Sequence, residues 1–321
     1  MTLKEMSSAV ADLGWLCSRD VDMQSIKIGN RSFYIKDYYC SQYGYYIPKN
    51  DGKLWLYVNI TGACPASCPF CVNPGRKCGR TEFDVQIFMK TLECIRDHIY
   101  GVSFTGGEPM LEYELLDSAI GVAGSVMNNK IEIDMVTNGM NLNRIPRFRH
   151  LELLDSIHIS RHRIDDIDNG KLMGIKTPTV DQIRELLLHI KDPARVVFNC
   201  VLQKDGINSP DLMAEYLEMA AEAGISNTSF ISMIPANGYC MDQFVDPEML
   251  NLENDCRFRV WNHFHDYEYC SCSAGDYRAR KGWVRYYYRS PGKEKAPYSR
   301  QLVYTENNRL LDGFGGNQIY V

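Results

Sequence analysis

Three cysteines, Cys64, Cys68 and Cys71, fall in the ten-residue run ACPASCPFCV at 63–72. Thiolates are soft ligands suited to iron–sulfur clusters and to zinc. At CxxxCxxC spacing on one short loop they can hold three irons of a 4Fe–4S cube. Such cubes usually take four cysteines, so one iron would stay open to a small chelating ligand. Zinc is the alternative occupant, because it also favours thiolates in tight spacings, and Cys78 is placed to be its fourth ligand. Pro65 and Pro69 stiffen the loop and remove backbone donors. A second segment, VSFTGGEP at 102–109, carries Gly106 and Gly107, which have no Cβ and let the backbone approach a ligand closely. Glu108 follows, and Pro109 fixes the exit of the turn. The carbonyl oxygens of such a strand end suit a cation; alone, the segment also reads as an ordinary turn.

In this order and at this distance the two motifs resemble the hallmarks of the radical S-adenosylmethionine (radical SAM) enzymes, CxxxCxΦC and GGEP. The match includes the aromatic Phe70 before the third cysteine. The resemblance implies that Cys64, Cys68 and Cys71 ligate a 4Fe–4S cluster whose open iron chelates the amino and carboxylate groups of S-adenosylmethionine. It also implies that the Gly106–Pro109 edge binds the methionyl ammonium. In this family an electron, from a donor such as flavodoxin or ferredoxin, cleaves the sulfonium to methionine and a 5′-deoxyadenosyl radical. Asn138, in Thr-Asn-Gly at 137–139, resembles the TNG turn of the molybdopterin-precursor cyclase branch. Ser160 and Asn199 look like the positions where that branch contacts the cofactor's ribose and carboxylate. Where the branch has Ser-x-Asp, this chain has Ser160, Arg161, His162 and Arg163. The three basic residues either reach an anionic group of substrate or cofactor or begin a solvated loop.

Cys240, Cys256, Cys270 and Cys272 have the spacing C-x15-C-x13-C-x-C. Four thiolates are enough for a second 4Fe–4S cluster, and the layout is similar to the small twitch extension that carries one auxiliary cluster in this superfamily. The longer SPASM extension would need more cysteines than the segment holds. A structural zinc knot, or an open cluster with one cysteine left out, is the alternative. Cys17, Cys40, Cys78, Cys94 and Cys200 read as small buried apolar residues, although Cys40, Cys78 or Cys200 could return a hydrogen atom in an epimerisation.

These residues need a scaffold. Runs 55–60, 101–105, 131–137, 156–160, 195–202 and 227–233 read as strands bounded by polar turns. Between them 84–98, 111–127, 180–190 and 209–223 show helical spacing, with weaker helices at 143–151 and 165–174. Such alternation implies a parallel sheet with right-handed crossovers, and six units fit a partial (β/α)6 TIM-like barrel. Both motifs then follow strands and share the C-terminal rim, where barrels gather function. Three regions are expected: an N-terminal cap at 1–54, the barrel at 55–234, and a cysteine-rich extension at 235–321, divided near Pro235 by a turn cluster. The cap holds a helix over Met1–Leu13, a strand pair over Ile26–Ile35 around Gly29 and Asn30, and a tyrosine-dense stretch at Asp37–Tyr46. Asn307 and Asn308 suggest a hairpin turn before Arg309–Leu311.

Of 321 residues, 45% are hydrophobic and 23% charged, as in soluble globular proteins. No run approaches the roughly 20 apolar residues of a membrane span, no secretion signal is visible, and the formal charge of −5 argues against nucleic acid. Twelve cysteines without an export signal point to metal ligation in the reducing cytoplasm. The leading expectation is a radical SAM enzyme that abstracts a hydrogen atom from a small molecule, a nucleotide, sugar or amino-acid derivative. The arginine-rich stretch Arg278, Arg280, Lys281, Arg285 and Arg289 leans towards an anionic one. A maturase of ribosomal peptides is the second reading, and a non-catalytic iron–sulfur sensor the third.

Overall fold

The structure is a computed structural model that describes residues 23–36, 53–72, 81–128, 131–234, 236–266, 272–288 and 301–321. The Met1–Leu13 helix, the Asp37–Tyr46 stretch, Cys17, Cys40, Cys78, Pro235, Cys270 and Arg289 lie outside the described residues.

Six parallel strands stand side by side in chain order: β3 (Leu54–Thr61), β4 (Ile99–Gly106), β5 (Glu132–Thr137), β6 (Ser156–Ser160), β7 (Val196–Val201) and β8 (Asn227–Ile231). The expected helices are α1 (Val85–Ile95), α2 (Tyr113–Val126), α3 (Asp166–Met173), α4 (Val180–Leu187) and α5 (Pro210–Glu222). Only the 143–151 stretch departs. Pro146 cannot donate to a longer ladder, and short 3-10 turns, Leu142–Arg147 and Leu151–Leu153, take its place. Helix starts are written locally. Asp84 caps α1 by accepting from the Gln86 and Ile87 N–H groups, and Thr179 with Gln182 forms a capping box on α4.

Strand residues alternate between two faces, as the period of two requires. One face meets the helices: Phe104 packs edge-on against Phe88 of α1, and Phe198 and Phe230 pack against Tyr216 of α5. Truncating a buried ring of this kind costs about 3–5 kcal/mol. The inner face is polar. There the Ser103 hydroxyl donates to Asp134, and His158 bridges the Ser156 hydroxyl (2.9 Å) and the Asn199 side-chain oxygen (3.0 Å). This is a mixed α/β fold with six parallel barrel strands in chain order, as expected.

The sheet continues past the expected boundary near position 235. β11 (Gly282–Tyr288) adds in parallel to β8, and β12 (Gln301–Tyr304) adds in parallel to β3. β10 (Cys272–Ala279) and β9 (Phe258–Asp266) extend the first edge as antiparallel partners. β13 (Leu310–Leu311) and β14 (Gln318–Ile319) extend the other. Late strands thus cover both open edges of the barrel strands, whose unpaired backbone groups would otherwise face solvent. Asn308 turns the chain between β12 and β13 with φ +57°, as the asparagine pair suggests. The N-terminal pair is also present, β1 (Met23–Ile28) against β2 (Arg31–Lys36), and Asn30 at its turn accepts from the Tyr320 N–H at 3.0 Å. Among the described residues no helix is long and apolar enough to cross a membrane.

Candidate functional site

The cysteine loop leaves β3 and is held from several sides. The Gly107 N–H donates to the Thr61 carbonyl (2.7 Å) and the Glu108 N–H to the Ala63 carbonyl (2.8 Å), so the glycine turn lies directly on the loop. An added Cβ explains both glycines. On Gly107 it would stand 2.0 Å from the Ala63 oxygen. On Gly106, whose φ is +128°, it would stand 2.4 Å from the Thr61 oxygen. From the far side, the Ser67 N–H donates to the Met173 carbonyl at the end of α3 (2.8 Å). The short helix α6 (Gly238–Asp242) closes the clasp. Its cap residue Asn237 donates to the Pro69 carbonyl (3.0 Å), and the Cys240 thiol donates to the Phe70 carbonyl (3.7 Å).

Glu108 is 1% exposed, and its carboxylate accepts from the Thr137 hydroxyl (2.6 Å), the Asn138 N–H (2.6 Å) and the Met110 N–H (3.0 Å). Burial pushes its pKa up to about 7, against the pull of those three donors. Its side chain therefore ties the end of β4 to the end of β5, while Pro109, buried, opens the 3-10 turn Pro109–Glu112. Asn138 turns its amide on the Cys64 sulfur at 3.9 Å. Burial raises the Cys64 thiol and pushes Cys68 up to about 12; each also feels the Cys71 charge. Metal ligation would have to take those protons.

The remaining expected residues are placed less uniformly. Ser160 ends β6 beside Asn199 in the ladder, but the Asn199 oxygen is taken by His158. The basic run does not begin a solvated loop. Arg161 is 1% exposed and faces Asp166 (2.8 Å) and the Ile164 carbonyl (2.6 Å); Arg163 pairs with Asp205 (2.9 Å). His162 packs its ring edge-on against Phe70 at 4.8 Å, and its Nδ1 accepts from the Val201 N–H, which puts the ring proton on Nε2. Burial drives its pKa down to about 3, so it is neutral. Arg278 lies over the Trp283 ring and Lys281 pairs with Glu218 (3.4 Å), so two of the five basic residues are engaged by the protein itself.

Of the four C-terminal cysteines, Cys240, Cys256 and Cys272 lie among the described residues. Cys240 is 1% exposed beneath the cysteine loop, whereas Cys256 is exposed just before β9. Cys272 pairs with Asp266 at the other end of that strand from Phe258, roughly 25 Å away at about 3.3 Å per residue. Two scattered cysteines are described. Cys200 is buried as expected, but on the helix-packed face of β7, away from the inner face where a hydrogen donor would be needed. Cys94 is exposed, because Phe88, Leu92 and Ile95 take the buried positions of α1. Sequence reasoning missed Asn237, His158 and the covering role of Cys240. An Asn three residues before a cysteine is a cap signal, and the Ser-x-His alternation of β6 was there to be read.

The donor set fits an iron–sulfur cube. Three thiols sit on one pinned loop, and the neighbouring sulfurs add to the upward push that burial gives Cys64 and Cys68. Among the described residues, no three Cys, His, Asp or Glu side chains gather around a single ion. A cube needs no such convergence, since bridging sulfide separates its irons. The radical SAM superfamily model matches residues 58–246. The structure of Streptococcus suis SuiB bound to S-adenosylmethionine is similar with a TM-score of 0.55 at 15% identity, covering 83% of this chain and 62% of that one. A radical SAM methyltransferase from Sphaerobacter thermophilus gives 0.47 at 13% identity, with 78% and 77% covered. The chain thus spans about 62% of the length of the SuiB protein.

Proposed function

The chain belongs to the radical SAM superfamily, and from that premise we propose that it cleaves S-adenosylmethionine reductively and takes a hydrogen atom from a small polar substrate seated on the inner face of the sheet. The observation that carries this reading is the clasp: three thiols on one loop, locked to the Gly106–Glu108 turn by backbone bonds of 2.7 and 2.8 Å. When bound, a 4Fe–4S cluster and S-adenosylmethionine supply the electron and the 5′-deoxyadenosyl radical for hydrogen abstraction. The protein's own part is placement and exclusion of water. Cys64, Cys68 and Cys71 would hold the irons, and the Gly106–Gly107 edge would receive the methionyl ammonium. Ser160, at the end of β6, would face the cofactor's ribose.

For the substrate, support comes from the inner face. Ser103, Asp134, Ser156, His158 and Asn199 line neighbouring strands with donors and acceptors. Asn59, 6% exposed on β3, has a side-chain oxygen without a partner among the described residues, and a buried acceptor of this kind calls for a donor. An alcohol- or amine-bearing substrate matches that need. An anionic one would require Arg161 and Arg163 to leave Asp166 and Asp205.

Anaerobic reconstitution tests the reading. With S-adenosylmethionine and dithionite, the wild-type chain should carry about four irons at the loop and form 5′-deoxyadenosine. Changing Cys64, Cys68 and Cys71 together to Ala should abolish that product; product persisting in the triple variant overturns the proposal. Iron without product in the wild type would mark a sensor, and about eight irons would call for an auxiliary cluster.

A further inference from the structure

We infer that Asn138 is a positioning residue that hydrogen-bonds the cluster-ligating sulfur of Cys64 and raises the cluster's reduction potential, an inference that rests on the cluster proposed above. The contact is an amide Nδ2 donating to Sγ at 3.9 Å, and a neighbouring donor fixes which way the amide faces. Met140 offers its N–H to the Asn138 Oδ1 at 2.9 Å. Because that neighbour is a donor, the oxygen must face it and the NH2 must face the sulfur. The backbone is fixed as well. The Asn138 N–H is held by Glu108 Oε2 at 2.6 Å, and the following Gly139 turns with φ +87° while donating to the Thr137 hydroxyl at 3.0 Å. Asn138 is 7% exposed, so its amide is shielded from water, while Cys64 is half-buried.

The consequence is electrostatic. Reduction adds one electron from an external low-potential donor, and part of the new negative charge falls on the ligating sulfurs. An N–H aimed at one of them stabilises the reduced form more than the oxidised form, which moves the potential upward. Glu108 is thereby connected to the cluster at one remove, since it fixes the turn that presents the amide. The arrangement is separate from any contact of Asn138 with S-adenosylmethionine, because it acts in the cofactor-free protein.

The test is an EPR-monitored redox titration, with dithionite and without S-adenosylmethionine, of the reconstituted wild type, Asn138→Asp and Asn138→Leu. Asn138→Asp keeps an acceptor for Met140 and replaces the donor by a charge. Iron content should match the wild type, and the midpoint should move to more negative potential in both variants, further in Asn138→Asp. An unchanged midpoint on a full cluster overturns the inference. Should the variants lose iron, wild-type protein labelled with 15N at asparagine side chains decides by pulsed EPR. Hyperfine coupling to an amide nitrogen is expected in the reduced cluster, and its absence overturns the inference equally. A wild type that assembles no cluster would instead defeat the proposed function.

Discussion

The thiol of Cys240 donates to the carbonyl of Phe70 across 3.7 Å, joining the C-terminal segment to the loop that carries Cys64, Cys68 and Cys71. The bond lies beside a second one, from Asn237 to Pro69, and Asn237 also caps Cys240 by accepting its N–H at 3.0 Å. Segments remote in sequence thus brace one loop, and the brace uses a cysteine as a donor.

That role separates Cys240 from a metal ligand by a simple substitution. Cys240→Ser keeps a donor for the Phe70 carbonyl, so iron per chain after reconstitution should equal the wild-type value. Asn237→Ala removes both the cap and the Pro69 contact. It should cost about 1 kcal/mol from the cap alone and shorten the time the cluster survives a chelator challenge. Iron falling by about half in Cys240→Ser would instead assign Cys240 to a second cluster.

Gly107 makes a sharper demand. A methyl group there would stand 2.0 Å from the Ala63 oxygen, whereas at Gly238 it would meet nothing within 4 Å. Gly107→Ala must push the two loops apart, at about 1–3 kcal/mol. Its 5′-deoxyadenosine yield should fall at least tenfold, or about 1.4 kcal/mol in barrier terms. Gly238→Ala should fold and reconstitute like the wild type. Equal turnover in the two variants would show that the glycine turn does not position the cysteine loop.

The pH dependence of stability follows from Asp134, buried on β5. Burial pushes its pKa up to about 7 from a usual 3.8, with the Ser103 hydroxyl pulling the other way and Asp155 adding repulsion. Between those values the folded chain binds a proton that the unfolded chain has released. The contribution is therefore full below about pH 4 and is lost as pH rises through about 7. His162 has the opposite sign, since its pKa is about 3 when folded against a usual 6.5. Its contribution is full above the usual value and is lost as pH falls towards 3. Comparing wild type with Asp134→Asn cancels the His162 effect. The melting temperature of the variant should gain on the wild type from pH 5 to about pH 7 and level off above it. A difference that stays flat over that range would mean Asp134 is ionised throughout.

Much of this architecture was legible in advance, for reasons that differ by element. β3 to β8 and their helices follow from alternating apolar periods, which depend on local neighbours alone. The motif cysteines and glycines announce themselves because few other residues can do their chemistry. The partners of β11 and β12 were not legible: both read as short strands, but which edge a strand joins is set by distant pairing. The same holds for Arg161, whose charge suggests a ligand until Asp166 and the Ile164 carbonyl are seen around it. The spacing of the last-quarter cysteines likewise says nothing about the long β9–β10 hairpin that lies between Cys256 and Cys272.

Glu108 offers the last test, on the knot that joins the two motif turns. Its two oxygens meet three donors, the Thr137 hydroxyl, the Met110 N–H and the Asn138 N–H. Glu108→Gln keeps the shape but has one oxygen in place of two, so at least one buried N–H loses its acceptor whichever way the amide turns. An orphaned donor costs about 1–3 kcal/mol. Thr137→Val removes the hydroxyl that donates to Glu108 and accepts from the Gly139 N–H. In a double-mutant cycle by chemical denaturation the two changes should therefore couple, by about 0.5–3 kcal/mol. The cofactor should report the same knot, with Glu108→Gln raising the KM for S-adenosylmethionine by loosening the Gly106–Gly107 edge. Strictly additive stabilities together with an unaltered KM would mean that the turns hold their places without the carboxylate.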